Sequence, residues 1–159
     1  MSIFEKPVLS LVYRFNWISS FLIVVMMLLT CADVVLRFFR HPIPGTYEIV
    51  GLLGALVISF SLAYTSEKKG HIAVEFLVKR LPARLQNLIN AFNLAIATVL
   101  FSLITKESFL YAGELKSAGE VSLTLHMPIY PYIYGVALGC GLFSLLLVKN
   151  TITGMRRLF

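Results

Sequence analysis

The sequence has few charged residues, and their positions are more informative than their number. Charged side chains make up 14% of the 159 residues, whereas hydrophobic residues make up 58%. Four stretches carry no charge at all: residues 15–32, 49–66, 85–105 and 121–148. Because a soluble domain of this length could not bury so much apolar surface, the composition excludes an ordinary globular domain.

Each uncharged stretch is about as long as a membrane span. An α-helix rises about 1.5 Å per residue, so about 20 apolar residues cross a hydrocarbon core of about 30 Å. The sequence therefore predicts an all-α membrane protein with four transmembrane helices, at roughly residues 15–36, 47–66, 85–106 and 127–149. We expect one membrane domain over residues 1–159. The predicted spans carry no charged side chain at their centres, which argues against a proton relay or ion path.

Residues that commonly carry catalytic or cofactor chemistry are scarce. The two cysteines, Cys31 and Cys140, form no CxxC pair, so neither a thiol oxidoreductase nor a zinc site is indicated. The three histidines lie in connections or just before the fourth span, where they are poorly placed to be axial haem ligands. We therefore expect no enzyme activity, no cofactor and no metal.

The net charge of +6 could suggest nucleic-acid binding, but the basic residues follow the predicted topology instead. Of the 14 Lys and Arg residues, ten lie at the termini or between the second and third spans, and four lie in the other two connections. The positive-inside rule then places both termini and the middle connection in the cytoplasm. The sequence predicts a multi-pass membrane protein, with membrane lipids rather than nucleic acid as the partner of its basic residues.

Two of the predicted spans carry small residues at helical spacing. Such residues let two helix backbones approach closely in lipid. The pattern favours packing within the chain's own bundle, and a face for a partner subunit is the alternative. The residues concerned are Gly51, Ala55, Ser59 and Ala63 in the second span, and Gly135 and Gly139 in the fourth.

Residues 71–81, between the second and third spans, are too few to cross a membrane. The segment is mostly apolar, with His71, Glu75 and Lys79 along one i,i+4 line. This pattern predicts a short amphipathic helix in the interface on the cytoplasmic side, with Lys79 and Arg80 near the lipid headgroups. A short buried elbow is the alternative.

Charged residues also gather around the connection between the first two spans. Asp33 and Arg37 have i,i+4 spacing with the acid first, which is the favourable order on a helix. Two prolines and a glycine then end the helix, and Glu48 opens the second span. The cluster of Asp33, Arg37, Arg40 and Glu48 is either a solvated ion network that fixes the hairpin or a docking surface for a partner.

Three sequence runs resemble the small, DctQ-like membrane subunit of the TRAP transporters, the tripartite ATP-independent periplasmic systems. The runs are DVVLR at 33–37, PIPGTYE at 42–48 and GHIAVE at 70–75. Length, four spans and cytoplasmic termini are also similar, although Glu75 stands where the family often has Asp. The resemblance implies that Arg37, Pro42, Gly45 and Glu48 lock the first hairpin and shape a surface near a docked binding protein. It also implies that His71 and Glu75 orient the interfacial helix.

The resemblance further implies a location in the bacterial inner membrane, a set of partners and a role. Members of the family work with a large membrane subunit that moves substrate and sodium by an elevator-like motion. A periplasmic binding protein delivers the substrate, an organic acid such as a dicarboxylate, a keto acid or sialic acid. The small subunit is non-catalytic and extends the static scaffold of the large one. A standalone small exporter or an integral assembly factor is the alternative function.

Overall fold

The structure is a computed structural model that describes residues 5–68 and 82–155. These residues form four α-helices, α1 (Glu5–Phe38), α2 (Thr46–Glu67), α3 (Ala83–Ala118) and α4 (Tyr130–Met155). Each helix is long and apolar enough to cross a membrane, which confirms the four predicted helices as candidate spans. The predicted interfacial helix at 71–81, with His71, Glu75, Lys79 and Arg80, lies outside the described residues.

Local sequence explains where the helices end. The chain leaves α1 before Pro42 and Pro44, and the N–H groups of Arg40 and His41 bond to carbonyls of its last turn. Gly45, with a φ of 74°, precedes α2. The third helix continues well beyond residue 106, to Ala118, where Gly119 adopts a φ of 67° and donates its N–H to the carbonyl of Leu115. A glycine in this conformation is a common helix terminator.

The helices are arranged in the spatial order α1, α2, α4, α3. The second helix packs between α1 and α4, and α3 packs against α4. A buried cluster joins the start of α1, the end of α2 and the end of α4, through Val12, Ala63 and Leu146. Ring pairs in edge-to-face contact lie beside it, Phe15 with Phe60 and Phe101 with Phe143. The packed core therefore lies in the half of the bundle where α1 begins.

Helices α2 and α4 approach each other closely at two glycines of α4. On α4, a Cβ added to Gly139 would lie 2.8 Å from the backbone of Ser59, so the two helices touch there at backbone distance. A Cβ added to Gly135 would overlap the side chain of Leu56, not a backbone atom. Ser59 and Ala63 are buried, whereas Gly51 and Ala55 on the same stripe are exposed.

Much of the apolar surface faces outward. Trp17, Phe21 and Leu28 on α1, and Phe92, Val99 and Leu103 on α3, are among the exposed large side chains. Lipid is the solvent that such surfaces require, so the exposed faces agree with four membrane spans.

Candidate interaction site at the loop end of the bundle

Two connections meet at one end of the bundle, which we call the loop end. They are the turn at residues 39–45, between α1 and α2, and the connection at 119–129, between α3 and α4. The opposite end, where α1 begins and α4 ends, is the tail end. The charged residues that the sequence singled out between 33 and 48 all lie at the loop end.

Asp33 holds the turn at 39–45. Its side chain is buried at the end of α1, where one carboxylate oxygen accepts the backbone N–H of Ile43 at 2.9 Å. The other oxygen accepts the Nε–H of Arg37 at 2.8 Å, so the predicted i,i+4 pair is present. The Ile43 N–H lies outside the helices and has no helical carbonyl to bond to. The Asp33 carboxylate supplies its acceptor.

Arg37 extends the Asp33 network toward the surface. Its guanidinium lies over the ring of Tyr47 at the start of α2, with 5.2 Å between the guanidinium carbon and the ring centroid. Arg40 and Pro42 are exposed, and Arg40 has a φ of 62°, unusual for a residue other than glycine. Arg37 therefore joins α1 to α2, while Arg40 and Pro42 form part of the outer surface of the turn.

Gly45 is the point at which the two connections touch. Its φ of 74° is one that residues with a Cβ rarely adopt. A Cβ at this position would also overlap the side chain of Leu125 from the second connection. Both the backbone conformation and the close approach therefore require glycine here.

Glu48 ties the start of α2 to the connection at 119–129. One of its oxygens accepts the hydroxyl of Thr124 at 2.8 Å and the backbone N–H of Thr124 at 3.1 Å. The other accepts the hydroxyl of Ser122. The connection is itself folded by a bond from the Ser122 N–H to the Met127 carbonyl, at 2.9 Å. Glu48 thus holds a preformed loop against α2.

The predicted charge cluster is consequently divided into two networks. Asp33 and Arg37 form one with the first turn, and Glu48 forms the other with the second connection. Sequence reasoning missed Ser122, Thr124 and Leu125, because they lie more than 70 residues from their partners and follow no local pattern. The predicted site residues His71, Glu75, Lys79 and Arg80 are outside the described ranges.

No group suited to metal binding is present in the parts of the chain that the structure describes. Residues 5–68 and 82–155 contain no cluster of three His, Cys, Asp or Glu side chains. Cys31 is exposed, Cys140 is buried, and both are free thiols. The loop end instead presents a surface whose shape is fixed by the carboxylates of Asp33 and Glu48.

Comparison with known proteins identifies the family. Residues 26–157 match the family described as Tripartite ATP-independent periplasmic transporters, DctQ component. No curated protein and no solved structure gives a significant match. The matched region includes the second part of α1, both connections of the loop end and the whole of α2, α3 and α4. The chain therefore belongs to the DctQ family, the small membrane subunits of the TRAP transporters.

Proposed function

We propose that this chain is the non-catalytic scaffold subunit of a sodium-coupled TRAP transporter that takes up an organic acid. In this proposal the large membrane subunit binds the acid and sodium and moves them across the membrane. A periplasmic binding protein delivers the acid, which belongs to the dicarboxylates, keto acids or sialic acids. The small subunit extends the fixed frame against which the large subunit works.

The engagement of Asp33 and Glu48 is the observation that carries this proposal. Both carboxylates lie where the apolar helices meet the loop end, and both bind groups of the same chain. Asp33 accepts from the Ile43 N–H and the Arg37 guanidinium, and Glu48 accepts from the N–H and hydroxyl of Thr124. Carboxylates used in this way fix the shape of a surface. They are not free to bind a cation or a solute.

Orientation follows from the distribution of basic residues. The positive-inside rule places the tail end in the cytoplasm and the loop end in the periplasm. The surface around Arg37, Arg40, Pro42, Gly45 and Glu48 would then face a docked binding protein. On the cytoplasmic side, we propose that residues 71–81 lie in the interface, with Lys79 and Arg80 near lipid headgroups.

Co-expression with the large subunit tests the proposed function. We expect the tagged chain to retain the large subunit through purification. In proteoliposomes with a sodium gradient and the loaded binding protein, we expect acid uptake only when both membrane subunits are present. Solute movement by this chain alone would favour a standalone exporter and would overturn the proposal.

Two charge reversals test the proposed role of the loop end. We expect Arg37→Glu and Glu48→Arg, each made singly, to weaken uptake or assembly. Arg37 joins α1 to α2 through the ring of Tyr47, and Glu48 joins α2 to the connection at 119–129. Glu120→Arg is a matched control at an exposed position of the connection at 119–129. If both variants keep wild-type uptake and co-purification, the site assignment is wrong.

A further inference from the structure

The third helix carries charge where its neighbours do not. On α1, α2 and α4 every described charged residue lies within ten positions of a helix end. On α3, in contrast, Lys106 and Glu107 lie more than ten positions from either end of the helix, and Glu114 and Lys116 follow toward its end at Ala118. Their depth in the membrane can be read from the residues that they lie beside.

Contacts between α3 and α4 fix the level of Glu107. On one side of it, the Thr105 side chain lies 3.3 Å from the position of a Cβ on Gly141. On the other side, the ring of Phe109 stacks edge-on against Tyr134, with 5.1 Å between centroids. Glu107 is therefore level with the middle of the stretch of α4 from residue 134 to residue 141.

This stretch of α4 packs in turn on the middle of α2. Gly135 meets Leu56, and Gly139 meets Ser59. Measured along α2, Ser59 is about 12 Å from Glu67 and about 16 Å from Glu48, the charges at the two ends of its apolar stretch. Glu107 consequently lies near the level of the bilayer centre as α2 and α4 define it, rather than at a membrane surface.

Glu107 points away from the bundle. Thr98, Phe101, Thr105, Ala112 and Leu115 lie along the side of α3 that packs on α4 and are buried or half-buried. The opposite side is exposed, and we call it the outward stripe: Phe92, Ile96, Val99, Leu103, Glu107, Leu110 and Glu114.

The charges of the outward stripe have little support from this chain. The side chain of Glu107 is 68% exposed, and its ion pair with the adjacent Lys106 has an N–O distance of 4.0 Å. Neighbouring residues on a helix do not face each other, so this pair is weak. A carboxylate that faces lipid at mid-depth is costly, and such residues normally face protein or a water-filled cavity.

We infer that the outward stripe of α3 is the surface that binds the large membrane subunit, whose facing helices present basic or hydrogen-bond-donating side chains to Glu107 and Glu114. Leu103 and Leu110 would pack around these contacts. Charge complementarity selects this partner, because lipid tails offer no donor. The inference rests on the proposed function, since it requires the large subunit to be present.

Site-specific photo-crosslinking tests which face is covered. A photoreactive amino acid is placed at Leu103 or Leu110 on the outward stripe, or at Phe21 on α1, which is 67% exposed and serves as the control. With the large subunit co-expressed, we expect an adduct of the two subunits from Leu103 and Leu110 but not from Phe21. Adducts from Phe21 alone, or adducts of two copies of this chain from Leu110, would overturn the inference.

Charge reversal provides the second measurement. We expect Glu107→Lys to lower the large subunit recovered with the tagged chain by at least about tenfold, as loss of a desolvated charge pair does. Glu107→Gln, which can still accept a hydrogen bond, should lower it less. Glu120→Lys makes the same change outside α3 and should leave recovery unchanged. Wild-type recovery with Glu107→Lys would show that Glu107 does not face the partner.

The two proposals fail in different ways. If the wild-type chain does not retain the large subunit, the proposed function is wrong and the assignment of the stripe is wrong with it. If the complex forms normally but crosslinks only from α1, the proposed function stands and the assignment of α3 is overturned. Folding of each variant is checked by whether it elutes from gel filtration in detergent as the wild type does.

Discussion

The carboxylate of Glu48 and the hydroxyl of Thr124 lie 2.8 Å apart, across 76 positions of sequence. This contact joins the first residues of α2 to the connection between α3 and α4. The backbone N–H of Thr124 reaches the same oxygen, and Ser122 binds the other one. The loop end is therefore a single shaped surface and not two independent turns.

Replacement of Glu48 by Gln should loosen the second connection while leaving the helices intact. An amide accepts fewer and weaker hydrogen bonds than a carboxylate, so the Thr124 N–H loses a charged acceptor. We expect its hydrogen exchange to quicken by at least about tenfold. Mass spectrometry of the peptide that covers residues 119–129 measures this directly.

Glu120→Gln is the control for that measurement, because Glu120 is exposed in the same connection. Exchange in Glu120→Gln should match the wild type. If hydrogen exchange near Thr124 is as slow in Glu48→Gln as in the wild type, the Glu48 carboxylate and its contacts with Ser122 and Thr124 do not stabilise the connection.

The two networks of the loop end differ in how far sequence could predict them. The pair of Asp33 and Arg37 follows from i,i+4 spacing, a rule that holds within any helix, and the structure contains it. The bond from Ile43 to Asp33 and the bonds to Glu48 depend on how separate segments fold back. Spacing along one helix does not specify such contacts.

The importance of Asp33 should exceed that of Arg37. Asp33→Ala removes the acceptor of the Ile43 N–H and leaves that donor without a partner, whereas Arg37→Ala removes a half-exposed side chain. We expect the melting temperature in detergent to be highest for the wild type, lower for Arg37→Ala and lowest for Asp33→Ala. Asp33→Asn can still accept a hydrogen bond from the Ile43 N–H, so its melting temperature should be higher than that of Asp33→Ala.

The double variant separates the two contacts of Asp33. If the bond to Ile43 matters, Asp33→Ala should still lower the melting temperature when Arg37 is already Ala. An unchanged melting temperature in that background would mean that Asp33 acts only through its ion pair with Arg37.

Gly45 and Gly119 form a matched pair of glycines with positive φ. An alanine at either site costs about 1–2 kcal/mol through its left-handed backbone. At Gly45 the new methyl group also overlaps Leu125, whereas at Gly119 nothing lies within 4 Å of it. Overpacking of this kind adds about 1–3 kcal/mol, so Gly45→Ala should be the more destabilising change in chemical denaturation.

A second substitution identifies the source of the difference. With Leu125→Ala in the background, the cost of Gly45→Ala should fall toward that of Gly119→Ala, because the overlapping side chain is gone. Equal costs of Gly45→Ala in both backgrounds would show that the backbone conformation alone determines the effect.

The length of α3 and its position along α4 were also not predicted from the sequence. Hydropathy correctly indicated four spans, but it favoured an end near residue 106, because charges begin there. Residues 106–118 are rich in good helix formers such as Leu, Glu, Ala and Lys, and Gly119 provides the stop, so the helix continues. Depth relative to α4 depends on tertiary contacts such as Thr105 with Gly141, which no single-helix pattern contains.

The stripe of small residues on α2 shows the same distinction. Spacing placed Gly51, Ala55, Ser59 and Ala63 on one face, but the structure buries only the last two. Helix α4 covers that half of the stripe at Gly139, where the backbones touch. Small residues thus mark where close packing is possible, and the neighbouring helix decides where it occurs.

Gly139 and Gly51 should therefore respond in opposite ways to the same substitution. An alanine methyl at position 139 would lie 2.8 Å from the Ser59 backbone and 2.9 Å from the Phe60 ring, so α2 and α4 must separate. We expect a cost of about 1–3 kcal/mol, the usual penalty for overpacking. At Gly51 a methyl meets nothing within 4 Å, and alanine is the better helix former by about 1 kcal/mol. Gly51→Ala should be neutral or stabilising in thermal unfolding in detergent, and a large loss of stability there would show that Gly51 is in contact with a neighbour.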